Sequence, residues 1–180
     1  AVRVGADVYS LYNVVDVIAH EFSGGEGEGN AATKNPLQWF DRMVGMYTFR
    51  AFAGHKASWM LSYSWMKKNK LSPPEPMKNL ALSNLMAGTN HYDAKEYVMS
   101  GSNDLDTRKA IYTWIAENEN TFYKPRNPVT PIGIYFSPST RNYDPESFIE
   151  SFQGMLKIML QGHIGFEIVT PRTLKEFKGK

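Results

Sequence analysis

Five times along the chain, a short apolar run rich in β-branched and aromatic residues gives way to a stretch whose apolar residues recur every three or four positions. No other feature restricts the fold as much. Such alternation favours a parallel sheet with helices packed outside it, because neighbouring parallel strands need a crossover long enough to hold a helix. The chain is therefore expected to be α/β, built from parallel strand–helix repeats. These could form part of a TIM-type barrel or a single open doubly wound sheet. No fixed-length repeat with shared residues stands out, which argues against a solenoid.

Strands are expected at Tyr12 to Glu21, Ala57 to Trp65, Asn90 to Ala94, Ile132 to Ser137 and Gly165 to Thr170. Helices are expected at Pro36 to Gly54, Pro76 to Gly88, Asp106 to Tyr123 and Pro145 to Gly162, with a last one starting over Thr173 to Phe177. Asn35 before Pro36 has the form of an N-cap followed by proline at the first helical position. Gly54 and Gly88 are the expected stops. Leu80, Leu82, Leu85 and Met86 should face inward on the second helix; the third carries Ile111, Trp114, Ile115 and Phe122, with Asp104 or Asp106 as its cap. These Met and aromatic stripes read as core packing. "KKNKLSPPEP" reads as a loop, and "KPRNPVTP" as the best domain boundary, dividing residues 1–124 from 128–180.

Composition then narrows the function. An apolar fraction of 42% supplies a core and excludes a disordered tail. A net charge of +2, from 20 basic and 18 acidic residues, leaves no footprint for nucleic acid. With no cysteine, disulfides and thiolate chemistry are excluded. No apolar run approaches the roughly 18 residues that span a bilayer, so no membrane partner is expected. The start "AVRVGADVYS" shows no signal-peptide pattern and no initiator Met, as in a mature form or a fragment.

In parallel α/β folds the functional groups gather at the carboxyl ends of the strands. That rule selects His20, Glu21 and Phe22 after the first strand, Tyr63, Ser64 and Trp65 after the second, and His91, Tyr92 and Asp93 on the third. If the three strands are neighbours, one edge carries Glu21, Trp65 and Asp93 together. Two carboxylates can divide acid and base roles when their environments push their pKa values apart. Tyr and Trp offer flat apolar faces with polar tips, which suit the C–H faces and hydroxyls of a sugar. The bland alternative is that Glu21 and Asp93 only cap loops or pair with Lys or Arg.

Sharper motifs fail. His20-Glu21 opens like H-E-x-x-H, but position 24 is glycine, and His55, His91 and His163 are too scattered for a zinc site. "GGEGEG" lacks the G-K-[ST] ending of a phosphate loop, and Glu26 and Glu28 would repel phosphate. G-x-S-x-G is absent, so there is no nucleophile elbow. "SPST", Ser137 to Thr140, stands where a flavodoxin-like fold would hold a phosphate, with too little glycine to be diagnostic. No cofactor and no metal are expected.

The strand ending in "HEF", then "WMLSYSW", "NLALSNLMAGTNHYDA" and "TWIAENENTFY" leading to "PIGIYFSPST" resembles the last third of certain glycoside hydrolase barrels. They are like the family 42 β-galactosidases, in which a (β/α)8 barrel precedes a flavodoxin-like domain. "IAENENTFY" is similar to the last barrel helix of such proteins, and "GIYFSPSTRNY…GMLKIMLQGHIGFEIVT" resembles the opening strand–helix–strand of the second domain. The resemblance implies a C-terminal piece: barrel end over 1–124, start of the flavodoxin-like domain over 128–180. A whole barrel needs eight strands and roughly 250 residues. The family's acid/base Glu lies on an earlier strand than any in this chain. Glu21 would be the matching strand-end carboxylate. His20, Tyr63, Trp65, His91 and Asp93 would shape the sugar subsite, the piece alone would be inactive, and its exposed sheet edges would favour a homo-oligomer. Two rivals stand beside it: a self-contained open α/β domain binding a nucleotide or flavin, and a non-catalytic carbohydrate-binding or assembly module.

Overall fold

The computed structural model of the chain describes residues 7–21, 36–62, 65–67, 70–71, 74–93, 105–124, 129 and 132–179. In order these form a 3₁₀ turn (Ser10–Asn13), β1 (Val17–Glu21), α1 (Pro36–Ala53), β2 (Ala57–Ser62), β3 (Trp65–Lys67), β4 (Lys70–Leu71), α2 (Pro74–Met86) and β5 (Asn90–Asp93). There follow α3 (Leu105–Glu117), α4 (Glu119–Phe122), β6 (Gly133–Tyr135), α5 (Pro138–Tyr143), α6 (Pro145–Gln161) and β7 (Glu167–Val169). The fold is α/β with parallel strands in small open sheets. Among the described residues the sheets have the orders β1-β2-β5, β3-β4 and β6-β7. β2 and β5 are parallel, with Met60 opposite His91 and Ser62 opposite Asp93. β6 and β7 are also parallel, with Ile134 opposite Ile168.

Contacts divide the chain into two compact units: Ala1–Ile18, Phe40–Ser58 and Arg126–Lys180 in the first, Ala19–Trp39 and Trp59–Pro125 in the second.

The first unit is built on aromatic rings. Phe136, just after β6, is 2% exposed. Its ring lies 4.7 Å from Phe52, 5.2 Å from Phe152, 5.3 Å from Phe148 and 6.4 Å from Tyr9. Half-buried Phe148 and buried Phe152 stand one turn apart on α6, where Ile149 and Leu156 are buried as well. That is the helical spacing seen in the sequence. Asp144 caps α6 by accepting from the Ser147 amide, with Pro145 at the first helical position. Glycine is required at Gly133, because a Cβ there would meet Phe177 at 2.6 Å and Val169 at 2.7 Å.

The 3₁₀ turn is held by cations. The Arg172 guanidinium lies 3.7 Å from the Tyr9 ring centroid and 4.3 Å from that of Tyr12, and donates to the Tyr9 and Phe52 carbonyls. Lys56 donates to the carbonyls of Tyr12 and Val15. Asp7 accepts from the amide and hydroxyl of Ser10, and these bonds hold its carboxyl below the usual range.

In the second unit, Ala81 and Leu85 of α2 pack with Ile111 and Ile115 of α3, and Phe122 of α4 lies against them. α2 also packs against β5.

Several expected boundaries move, each for a local reason. The first strand starts at Val17 rather than Tyr12, because Lys56 takes the Tyr12 and Val15 carbonyls away from any ladder. The second ends at Ser62, and Trp65 belongs to β3, paired antiparallel with β4 where a plain loop was expected. The third helix stops at Glu117: the Asn118 side chain bonds the Trp114 carbonyl and α4 begins anew. Ser137 to Thr140 opens α5, with the Ser137 hydroxyl accepting from the Thr140 amide. Thr173 to Phe177 forms hydrogen-bonded turns instead of a helix, started by the Thr170 amide donating to the Thr173 hydroxyl. Leu82 and Met86 are 46% and 58% exposed, contrary to the inward set, whereas Leu80 and Leu85 are buried. Asn35 and Asp104 lie outside the described residues.

α2 and α6 end in the same hydrogen-bond pattern with different residues. Gly88 (φ 79°) follows α2, with the Gly88 and Thr89 amides donating to the Leu85 and Asn84 carbonyls. After α6 the matching left-handed position is His163 (φ 51°), one residue past Gly162.

Candidate functional site

The best-defined polar cluster stands where α2 turns into β5. Asn84 is fully buried on α2. Its carbonyl accepts from both the amide and the hydroxyl of Thr89, at 3.0 and 2.9 Å, so the helix end and the start of β5 are tied at one atom. Its side-chain amide nitrogen lies 2.7 Å from Nδ1 of His91. Tyr112 of α3 presents its ring 5.8 Å from the imidazole, tilted by 30°. Desolvation by burial, then the nearby Arg108 charge, lowers the His91 pKa to about 4. The imidazole is therefore neutral at physiological pH.

Strand alternation sorts the neighbours. Ser58 and Met60 of β2 are buried, while Ala57 and Trp59 between and beside them are exposed. On β1, Ile18 is buried and Ala19 exposed. His91 is in register with Met60 and so belongs to the row that continues along the buried face.

Of the residues selected from sequence, Glu21 is the last residue of β1 and His20 the one before it, half-buried. Asp93 is the last residue of β5, opposite Ser62 at the end of β2. In strand order β1, β2 and β5 are neighbours, so Glu21, Ser62 and Asp93 end three adjacent strands. Trp65 does not end β2; it lies on β3 opposite Leu71. Tyr63 lies outside the described residues, as does the run 22–35 with its glycines and acids.

Asn84, Arg108 and Tyr112 escaped the strand-end rule because they sit on helices. One signal was available for Asn84: a polar residue beside Leu85, four after Leu80, on the apolar stripe of "NLALSNLMAG". Among the described residues no group of three or more His, Cys, Asp or Glu side chains could hold a metal ion. No helix among them is long and apolar enough to cross a membrane. No family model, curated protein or solved structure matches the chain.

Proposed function

We propose that the strand–helix repeats belong to a glycoside hydrolase-like barrel and that their carboxyl ends form part of its carbohydrate site, with Glu21 supplying one carboxylate. The observation that carries this is an asymmetry of connections. From β1 to α3 the helix-to-strand links are short, 54–56 and 87–89, while the strand-to-helix links run over 22–35, 63–73 and 94–104; beyond α4 this order does not hold, since β6 and α5 are joined by 136–137 alone. Barrel enzymes put their chemistry in the strand-to-helix connections and keep the opposite end compact. β3 and β4 with Trp65 lie within one such link. A helical crossover such as α1 is the connection that adjacent parallel strands require.

The exposed row of Ala19, Ala57 and Trp59 also suits this reading. A doubly wound sheet covers both faces with helices, whereas a barrel strand turns one face to helices and the other to the barrel interior. Three strands of eight leave that interior open. On this reading the 180 residues are part of a larger protein, β1 and β5, the outer strands of the sheet among the described residues, pair with another copy, and β6 to β7 open a flavodoxin-like domain.

Hydrolysis needs a second carboxylate, about 5–5.5 Å away for retention or about 6.5–9.5 Å for inversion. The test combines binding and turnover. The chain should bind simple methyl glycosides, Glu21→Gln should weaken that binding, and aryl glycosides should not turn over with the chain alone. Turnover that survives Glu21→Gln, or no glycoside binding at all, defeats the proposal.

A further inference from the structure

We infer that the outer face of α6 is a contact surface for a second copy of this chain, the two helices lying antiparallel and crossing at Gly154. The inference does not rest on the function proposed above.

Burial fixes which way α6 faces. Ile149, Phe152 and Leu156 are buried, and Ile158 stands just over half a turn on from Leu156, on the side away from them. Ile158 is 60% exposed, and Met155 and Ile164 are exposed as well. A helix in the same layer as α6 would reach its flanks but not this side, so a cover for Ile158 has to come from outside the layer.

Ser147, Ser151, Gly154 and Ile158 follow one another at four, three and four residues, the spacing of a helix-pairing seam. None is charged, and all but half-buried Gly154 are exposed. A Cβ at Gly154 would meet nothing within 4 Å, so a second backbone can approach closely there.

The seam complements itself. Its serines lie before Gly154 and its bulky residue after it, so an antiparallel copy crossing at Gly154 sets each Ile158 over the other copy's Ser147 and Ser151. Charge selects the same direction. Glu150 and Lys157 flank the seam on one side, each one position before a seam residue. Antiparallel helices bring like flanks together, so each Glu150 meets the other copy's Lys157, whereas parallel helices would set Glu150 against Met155. Lys157 also pairs with Asp41 of α1, and its side chain stays 34% exposed. One helix thus supplies both charges, the knob and the hollow, as a two-fold contact between identical chains requires. A single helix pair is a small interface, below about 1,200 Å², so the association is weak and concentration-dependent.

The test is sedimentation velocity of the whole chain from about 10 μM to about 0.5 mM. A reversible dimer should appear over that range, and Ile158→Glu should raise its dissociation constant at least about tenfold with the urea midpoint unchanged. The chain has no cysteine, so Gly154→Cys gives it a single thiol at the crossing point. Under mild oxidation that variant should crosslink at least about tenfold faster than Tyr143→Cys, whose position is exposed on α5. A chain that stays monomeric at the highest concentration overturns the proposal. So does a dimer that survives Ile158→Glu, as one paired through β1 and β5 would. A dimer lost in Ile158→Glu without faster crosslinking at Gly154 overturns the antiparallel crossing.

Discussion

β6–β7 and β2–β5 are both short parallel pairs, yet the side chains packed with them follow opposite rules. Beside β6, Phe136 collects four aromatic rings within 6.4 Å, and its fit depends on filled volume. Beside β5, a buried asparagine meets a histidine at 2.7 Å, and its fit depends on which atom holds a proton. Dispersion and burial act in every direction, so the aromatic cluster tolerates small shifts and fails only when emptied. A hydrogen bond between buried groups has one good geometry and fails when a proton is added or a partner lost. The first arrangement makes stability; the second makes a group with a defined chemical state.

Emptying the aromatic cluster should break the comparison most sharply. Phe136→Ala is expected to cost about 3–5 kcal/mol, read as a fall in the urea midpoint. A loss below about 1 kcal/mol would mean that the rings are not the core of their unit.

Acid tests the other arrangement. Folded His91 stays neutral down to about pH 4, against an ordinary value of 6.5. Between these values the folded chain binds fewer protons than the unfolded one. This contribution is therefore complete above pH 6.5 and is lost as pH falls toward 4, amounting to at most about 3 kcal/mol. Glu167, pushed upward by burial, acts in the opposite sense but is common to both chains when wild type is compared with His91→Gln. The stability difference between those two chains should shrink from pH 7 to pH 4. A constant difference means that the ring is solvated.

Arg172→Lys sharpens the aromatic side. Lysine keeps the charge but loses the planar fork that stacks on Tyr9 and Tyr12 while bonding two carbonyls. The expected loss is about 1–2 kcal/mol in thermal or urea unfolding.

The smallest effect has the opposite sign. Among the described residues the buried Ser58 hydroxyl has no hydrogen-bond partner. Ser58→Ala should raise stability by up to about 1 kcal/mol. A clear destabilisation would show that the hydroxyl is engaged.

Much of the fold was legible in single residues. Pro36 and Gly54 bracket α1, Pro145 opens α6, and Gly88 ends α2, because proline and glycine state their backbone angles wherever they stand. The strands were less legible at their ends. Tyr12 looks like a strand residue until Lys56, 44 positions away, takes its carbonyl. Trp65 looks like the end of β2 until its pairing with Leu71 turns it into a hairpin. Leu82 and Met86 fit a helical stripe, but three-and-four spacing leaves the width of the buried stripe open, and the neighbours reach only Leu80 and Leu85. The strand-end rule selected His91, Glu21 and Asp93, which the structure places on β5, at the end of β1 and at the end of β5. It missed the helix residues that set the state of His91.

By itself the sequence determined that this chain alternates strand and helix, that strands separated by a helix, such as β2 and β5 or β6 and β7, run parallel, and where most helices begin and stop. Those outcomes follow from periodicity and from backbone-restricted residues, which act within a few positions. Only the tertiary structure decided that Phe52 and Phe136 share a core, that Arg172 clasps Tyr9, and that Asn84 meets His91. Each joins groups brought together by folding, and the Asn84 amide lies 2.7 Å from the His91 ring in space although a helix end and a turn separate them along the chain.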